Sequence, residues 1–585
     1  MENDKFESVV GNSFYGEIEE NRVFPYPAFS AEQSEMAKEF INAFDKLAAT
    51  IDYAKMDEEA KIPEEVYQGL AELGLYGMGI PEEYGGLNLD YSLYCRVFAQ
   101  VCQWDGSLAV MLGGHQAIGL KALLLEGTDE QKSKWLPRLA SGECLAAFCL
   151  TEPGSGSDAY SIKTKATKND DGTYTIKGQK LWITNGGRAD FYTMFCKTDH
   201  EKNGKKVEKI TAFIVEKGME GLSFGKKEDK MGIRASETRS VYLDNVKVPA
   251  ENILGAEGKG FKLAMNILND GRLSLGAGCA GGMKTLMKMA TMHAKNRRQF
   301  DRPIAEFGLI QEKLAKMAAN IYTTESMVYM TSGNMCRGMQ DYYLESALCK
   351  VYGSEALWEC VDMGLQIAAG NGYMKEYPYE RLMRDSRINL IFEGTNEILR
   401  AFVALSGLKG PSESLAELGK ISDVSTALKD PIKSLGVLTN FAKKRLSKMI
   451  GGNMITKHHP EFNEMASKLS GQFSDFALQA ENALLKYKAE IIENELPLKR
   501  IANMAMELYA SLSIISRTTS ILNDDNIPQE KKDYCLKLGQ FSLRESYAKF
   551  KKNLKEMNKN MDSTIKSLSD DIVKNEGYGL DIIDF

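Results

Sequence analysis

The chain has 585 residues, 43% of them hydrophobic and 26% charged. That is the composition of a soluble globular protein too long for one ordinary core, so three or four folding units are expected. Net charge is −7 with Lys and Arg spread along the chain, which argues against a nucleic-acid partner; ten cysteines without a CxxC pair and five histidines without HxxxH or HExxH spacing point to a reduced, intracellular protein with no metal site.

The first twenty residues carry many acids, few bases and no apolar core. This excludes a secretory signal and argues against an Arg-rich import segment, so the mature chain is expected to start here. No apolar run approaches the roughly 20 residues needed to span a bilayer. The expected location is cytoplasmic, with any contact to the inner membrane peripheral. From about Phe29 to Gly142 the pattern is helical. Ser30 is a good N-cap with Gln33 three residues on, Pro63 stands near a second helix start, and GHQAIGLKALLLEG reads as a helix ending at Gly127.

At Leu145 the period changes to two. TYTIKGQKLWITNGG, FYTMFCKT, KITAFIVEKG, LSFGKKEDK and RSVYLDNVKVP read as antiparallel, hairpin-linked strands, with a turn at Asp170-Asp171-Gly172. The helical period returns from Lys259, in long helices with wide apolar faces that suit a bundle. Past Leu408, GLKGPSESLAELGKISD reads as a linker, and the rest is again helical. The expected fold is mainly α with a central β domain. It comprises an N-terminal helical domain (1–144), a β domain (145–255), a four-helix bundle (256–408), a linker (409–425) and a C-terminal helical domain (426–585).

Three stretches could carry chemistry. In IFEGTNEILR, Glu393 follows the apolar pair Ile391 and Phe392. A carboxylate against an apolar wall has a raised pKa and can accept a proton near neutrality, although an acid at a helix start is equally a cap or dipole-stabilising group. The loop TEPGSGSD, Thr151 to Asp158, exposes amides and hydroxyls after a strand, suited to a phosphate or an oxygen-rich ring, or simply to a turn. Trp182 and Thr184 in WITN place an indole and a hydroxyl on one strand, where both also serve as strand filling.

Taken in this order, AAFCLTEPGSGSDA, GQKLWITNGG, KMGIRASETRSVYLDNVKVP, NRRQF, QIAAGNGY and IFEGTNEILR closely resemble the acyl-CoA dehydrogenase family, over about Pro27 to Gly407. The resemblance implies an enzyme with noncovalent FAD that introduces a trans double bond between the α and β carbons of a fatty acyl-CoA, Glu393 taking the α proton. It implies that Phe148, Leu150, Thr151, Gly156, Ser157, Trp182 and Thr184 meet the flavin, with Ser157 also closing over the substrate. By the same resemblance Arg297 and Phe300 reach FAD across a subunit boundary, Gln366, Ala369 and Gly370 lie against its adenosine half, and Thr395 and Glu397 follow the base onto the cofactor. Asn269, Arg272 and Gly394 are implied on the substrate side. Implied partners are fatty acyl-CoA, an electron-transferring flavoprotein as acceptor, and a second copy in a homodimer.

The added tail of about 175 residues is similar to that of the family's dimeric very-long-chain subgroup. A long acyl chain needs a deep channel, and Gly119 and Ala122 are expected as its small wall residues. Two alternatives stand beside this reading: a non-catalytic assembly scaffold of the same fold, and a flavin acyl-CoA oxidase. In the tail, Leu435 to Ile450 puts an apolar stripe opposite Lys444, Arg445 and Lys448, a pattern for an interfacial membrane helix or for ordinary packing.

Overall fold

The computed structural model describes residues 8–421 and 454–584. The amphipathic stretch 435–450 lies outside them. The chain divides into two compact units, Asn21–Leu399 with Ser513–Ser542, and Met1–Glu20 with Arg400–Leu512 and Leu543–Phe585.

In the larger unit, α1 (Ala31–Ala48) starts with a full capping box, Ser30 and Gln33 each accepting from the other's backbone amide. This satisfies two amides that a helix start leaves open. Next come α2 (Glu64–Glu72), α3 (Tyr91–Trp104) and α4 (Gly106–Gly113). The expected single helix over GHQAIGLKALLLEG is broken: Gly114–Gly119 forms a wider π turn before α5 (Lys121–Glu126). Buried His115 sits in that turn, its Nδ1 accepting from the Ala146 amide at 3.0 Å and its Nε2 3.2 Å from the Tyr76 and Leu139 carbonyls. It is a packing histidine. The stretch Gly106–Glu126 is long and apolar enough to cross a membrane, contrary to the sequence expectation, but 67% of it is buried inside the protein. It is a core segment. α6 (Asp129–Ala140) begins with a second capping box at Thr128 and Gln131.

The strands are β1 (Ala146–Cys149), β2 (Lys165–Lys168), β3 (Tyr174–Thr184), β4 (Phe191–Lys202), β5 (Lys205–Glu216), β6 (Leu222–Phe224), β7 (Thr238–Val248) and β8 (Ile253–Leu254). They form an 8-stranded sheet in the order β6-β7-β3-β2-β4-β5-β8, with β1 beside β4. The expectation of a purely antiparallel sheet needs correction. β1 runs parallel to β4, and β2 meets β4 in parallel at Lys165 and Lys197. β1 is fed from the helical domain rather than by a hairpin, so nothing forces it to reverse against its neighbour. The Asp170–Gly172 turn does join β2 to β3 antiparallel, Lys168 opposite Tyr174.

After the sheet, α7 (Gly260–Asn296), α8 (Gly308–Cys336) and α9 (Tyr343–Ala368) pack on one another, and α7 and α8 also pack on α3. α10 (Tyr379–Ser386) lies against α9, and α11 (Asn396–Ile421) follows the candidate glutamate. The segment read as a linker is helical in α11 as far as Ile421, through Pro411. Gly407, just before it, is a packing glycine: a Cβ there would stand 2.2 Å from the Phe14 ring. Of the C-terminal stretch, Ser513–Ser542 belongs to the larger unit, where Arg517 pairs with Glu325 at 2.9 Å and the Tyr322 and Thr518 hydroxyls lie 2.7 Å apart. The described residues of the smaller unit are mostly helical, with Phe14 edge-on to Phe476 and Arg500 donating twice to Asp562 at 2.8 and 2.5 Å. The ten cysteines are free, and Cys144, Cys149 and Cys196 are buried in the core.

Candidate active site

Glu393 lies in a tight reversal between the short 3-10 turn Arg387–Leu390 and α11, with φ 60° at Glu393 and 93° at Gly394. Glycine adopts that region freely; a glutamate there is strained and must be held by its surroundings. Two buried cations hold this reversal. Arg272 on α7 donates from Nε to the Glu393 carbonyl at 3.1 Å. Lys350 on α9 donates from Nζ to the Gly394 carbonyl at 2.9 Å and to Asn396 Oδ1 at 2.7 Å. Asn396 in turn donates to Ser354 Oγ and Glu355 Oε1, at 3.0 and 3.2 Å.

The Glu393 carboxylate is left less satisfied. Its Oε2 is buried and has no hydrogen-bond partner. Burial pushes its pKa up to about 7, while Arg272 and Lys350 pull the other way. A carboxyl so poised is half ionised at neutral pH and its free oxygen can accept a proton. Room for that oxygen comes from Gly271: a Cβ there would stand 2.8 Å from Oε2 and 3.0 Å from Ile118 Cγ2.

Glu393 lines a largely apolar cavity with about 970 Å³ of empty space, its mouth included. Along α7 the walls are Gly271, Ser274, Leu275, Gly278, Gly282 and Leu286, one face of the helix at spacings of three, four, seven, eleven and fifteen. From Gly271 to Leu286 this face runs about 22 Å at about 1.5 Å per residue. Ala109, Val110, Gly113, Gly114 and Ala117 form a second wall, and Phe98, Cys102, Leu357 and Val361 add to the lining. Thr184, at the end of β3, lines the same cavity, approached so closely by Gly114 that a Cβ there would stand 2.8 Å from Thr184 Cγ2.

The other expected residues spread around this centre. Asn269 accepts from Arg272 Nη1 at 3.1 Å. Trp182 is 64% exposed at φ 56°, leaving an indole face free. Phe148 packs on Phe195 with ring centroids 5.0 Å apart, and Leu150 is buried. The start of the TEPGSGSD loop is fixed by fully buried Lys180, which donates to the Leu150 carbonyl at 3.2 Å and to Glu152 Oε1 at 2.7 Å. The Thr151 carbonyl accepts from the Leu181 amide at 2.9 Å. Gly156 and Ser157 are exposed, with open space around Gly156. Arg297 and Phe300, beyond the end of α7, are exposed, Phe300 at 87%. So are Gln366, Ala369 and Gly370 at the end of α9, and Glu397. Thr395 Oγ1 accepts from the Ile398 amide at 3.3 Å, capping α11.

Gly119 and Ala122 are not among the residues that line this cavity. A Cβ on Gly119 would stand 2.5 Å from the Gly114 carbonyl oxygen and 3.0 Å from Ala146 Cβ, and Ala122 is wholly buried in the core. The π turn shifts the helical register, so the small residues facing the cavity are those up to Ala117. Sequence reasoning also missed Lys350, Asn396 and Gly271. Lys350 had a signal, a lone charge inside the apolar run SALCKVYG; Gly271 had none.

Family models for the acyl-CoA dehydrogenase N-terminal, middle and C-terminal domains match residues 30–143, 147–246 and 258–408, and the ACAD9/ACADV C-terminal domain matches 460–578. The rat mitochondrial very long-chain specific acyl-CoA dehydrogenase is 45% identical over 520 residues, covering 87% of this chain and 78% of that protein. The structure of an acyl-CoA dehydrogenase complexed with FAD from Bacillus anthracis is similar at a TM-score of 0.79 and 34% identity, covering 96% of this chain and 94% of the other. A chain in the structure of an electron transferring flavoprotein of Acidaminococcus fermentans matches at a TM-score of 0.61 and 34% identity, over 65% of this chain and 98% of that one.

Proposed function

The chain belongs to the acyl-CoA dehydrogenase family, FAD-dependent enzymes of fatty acid β-oxidation, and we propose that Glu393 is its catalytic base and that its substrates carry long acyl chains. The observation that carries this is the buried, unpartnered Oε2 of Glu393 in the wall of a largely apolar cavity.

The residues present fit FAD. Trp182 offers an exposed indole face for a planar ring, Thr184 puts a hydroxyl into the cavity that Glu393 lines, and Gly156 leaves open space at the loop. Bound there, FAD supplies the acceptor for the hydride that leaves the β carbon. The protein supplies the proton step. The α proton of a thioester is weakly acidic, so the base must be held against it in a site that excludes water. The reversal fixed by Arg272 and Lys350 does the holding, and the apolar cavity does the excluding. The wall along α7, about 22 Å, matches roughly 18 methylenes at about 1.26 Å each for an extended chain of about 1.5 Å C–C bonds, which supports a long-chain substrate. Kinship with the chain from the flavoprotein structure supports an electron-transferring flavoprotein as acceptor.

The test is anaerobic titration of the yellow holoenzyme with acyl-CoAs from short to very long chains. Flavin bleaching should be strongest for the long chains, and Glu393→Gln should retain flavin but lose bleaching by at least about a hundredfold in rate. Near-normal reduction in that variant would remove Glu393 from the mechanism, and a preference for short chains would reject the substrate assignment.

A further inference from the structure

We propose that Lys350 is a positioning residue for the proton transfer: its buried ammonium, clamped on the Gly394 carbonyl and Asn396, both fixes the reversal that aims Glu393 and biases that carboxylate toward its ionised form. The proposal rests on Glu393 being the base.

A fully buried lysine is costly unless its donors are satisfied and its charge is used. Lys350 is fully buried. Two of its donors go to one three-residue stretch just after the base, the Gly394 carbonyl and the Asn396 side-chain oxygen. Arg272 takes the preceding carbonyl, that of Glu393. Two cations on successive carbonyls therefore brace two successive residues in the left-handed region, φ 60° and 93°, where the glutamate would otherwise relax. The carbonyls of such a turn form a local negative pole, and each cation is matched to one.

The same charge acts on the carboxylate. The charged and titratable groups that act on Lys350 are Cys279 on α7, Glu355 on its own helix, Arg272, and Glu393 itself. Burial draws Lys350 down to about 8, so it is largely protonated at pH 7. Its positive charge favours the carboxylate form of Glu393 against the burial that opposes it. Without it the base would be protonated over more of the neutral range.

The experiment compares wild type with Lys350→Gln, which keeps a donor but no charge, Lys350→Met, which keeps neither, and Lys350→Arg, which keeps the charge. Each is purified as the FAD holoenzyme and checked by flavin spectrum and cooperative unfolding. Stopped-flow flavin reduction by acyl-CoA is then measured across pH. Lys350→Gln should move the ascending limb to higher pH, with at least about a threefold loss at pH 7 that recovers at high pH. Lys350→Met should show the same shift plus a lower plateau, and Lys350→Arg should keep the limb in place. Should Met fail to fold, Gln alone still decides. An unmoved limb in Gln, with the wild-type limb present and abolished by Glu393→Gln, overturns the role of Lys350 while leaving Glu393 the base. If Glu393→Gln leaves reduction intact, it is the reading of the base that fails.

Discussion

Gly271 leaves room for the Glu393 carboxylate by lacking a methyl group. A Cβ there would intrude to 2.8 Å from Glu393 Oε2 and 3.0 Å from Ile118 Cγ2, on a helix backbone that cannot readily retreat. Gly271→Ala should therefore displace the carboxylate rather than the helix. Since an error of about 1 Å in a reacting group costs about a hundredfold, flavin reduction should fall at least tenfold while acyl-CoA binding, followed by the spectral shift of the flavin, changes little. At the same scale, the pKa of about 7 fixes the pH dependence. Burial raises it and only the ionised form accepts a proton, so the rate of flavin reduction should rise as pH passes through about 7 and level above it. A rate that falls over that interval would contradict the assignment. The glutamate and its apolar neighbours were legible in IFEGTNEILR, but Gly271 is one of 51 glycines, and nothing local distinguishes it.

At the level of elements, the channel is a property of one face of α7 and the segment before the π turn. Gly278 and Gly282 leave its middle open; a Cβ on Gly282 would already stand 3.3 Å from Leu357 Cδ1. Gly282→Leu should plug the channel about 16 Å along the helix from Gly271. Long acyl-CoAs should then reduce the flavin poorly while short ones keep near-normal rates, measured by parallel anaerobic titrations; equal losses at every chain length would mean that α7 does not line the acyl path. The sequence revealed that small residues cluster near Gly113 to Ala122, since a deep channel needs them. The residues it named, Gly119 and Ala122, do not line the cavity that Glu393 lines; Gly114–Gly119 is a wider turn than a regular helix, and the lining small residues run from Ala109 to Ala117. A glycine that serves close packing, such as Gly119, and one that borders a cavity, such as Gly114, are identical in sequence.

At the scale of the whole molecule, the residues after α7 bear on a second copy of the chain. Arg297 and Phe300 lie in the turn after α7, both exposed, Phe300 at 87%, and so accessible to a partner or ligand. We infer that they complete the cofactor site of a neighbouring protomer. Arg297→Ala should then release flavin, with a loss of about 1.5 to 3 kcal/mol of binding, expected for a charge-assisted contact to a pyrophosphate. Sedimentation of wild type as a dimer with full flavin would fit; a monomer retaining FAD with unchanged affinity would not.

Sequence alone determined the order of helical, β and helical regions, because periods of 3.6 and two residues are written in neighbouring side chains. It also determined the cap at Ser30, which depends on a residue three positions on, and the identity of Glu393 within its motif. Only the tertiary structure decided the environment that glutamate meets. Its carbonyl is held by Arg272, 121 residues away in sequence, and the next one by Lys350, 44 residues from Gly394. Its raised pKa comes from burial by elements that no local window contains. The parallel placing of β1 beside β4 and the helix running on through Pro411 have the same origin: packing between distant segments outweighed the local turn and breaker signals.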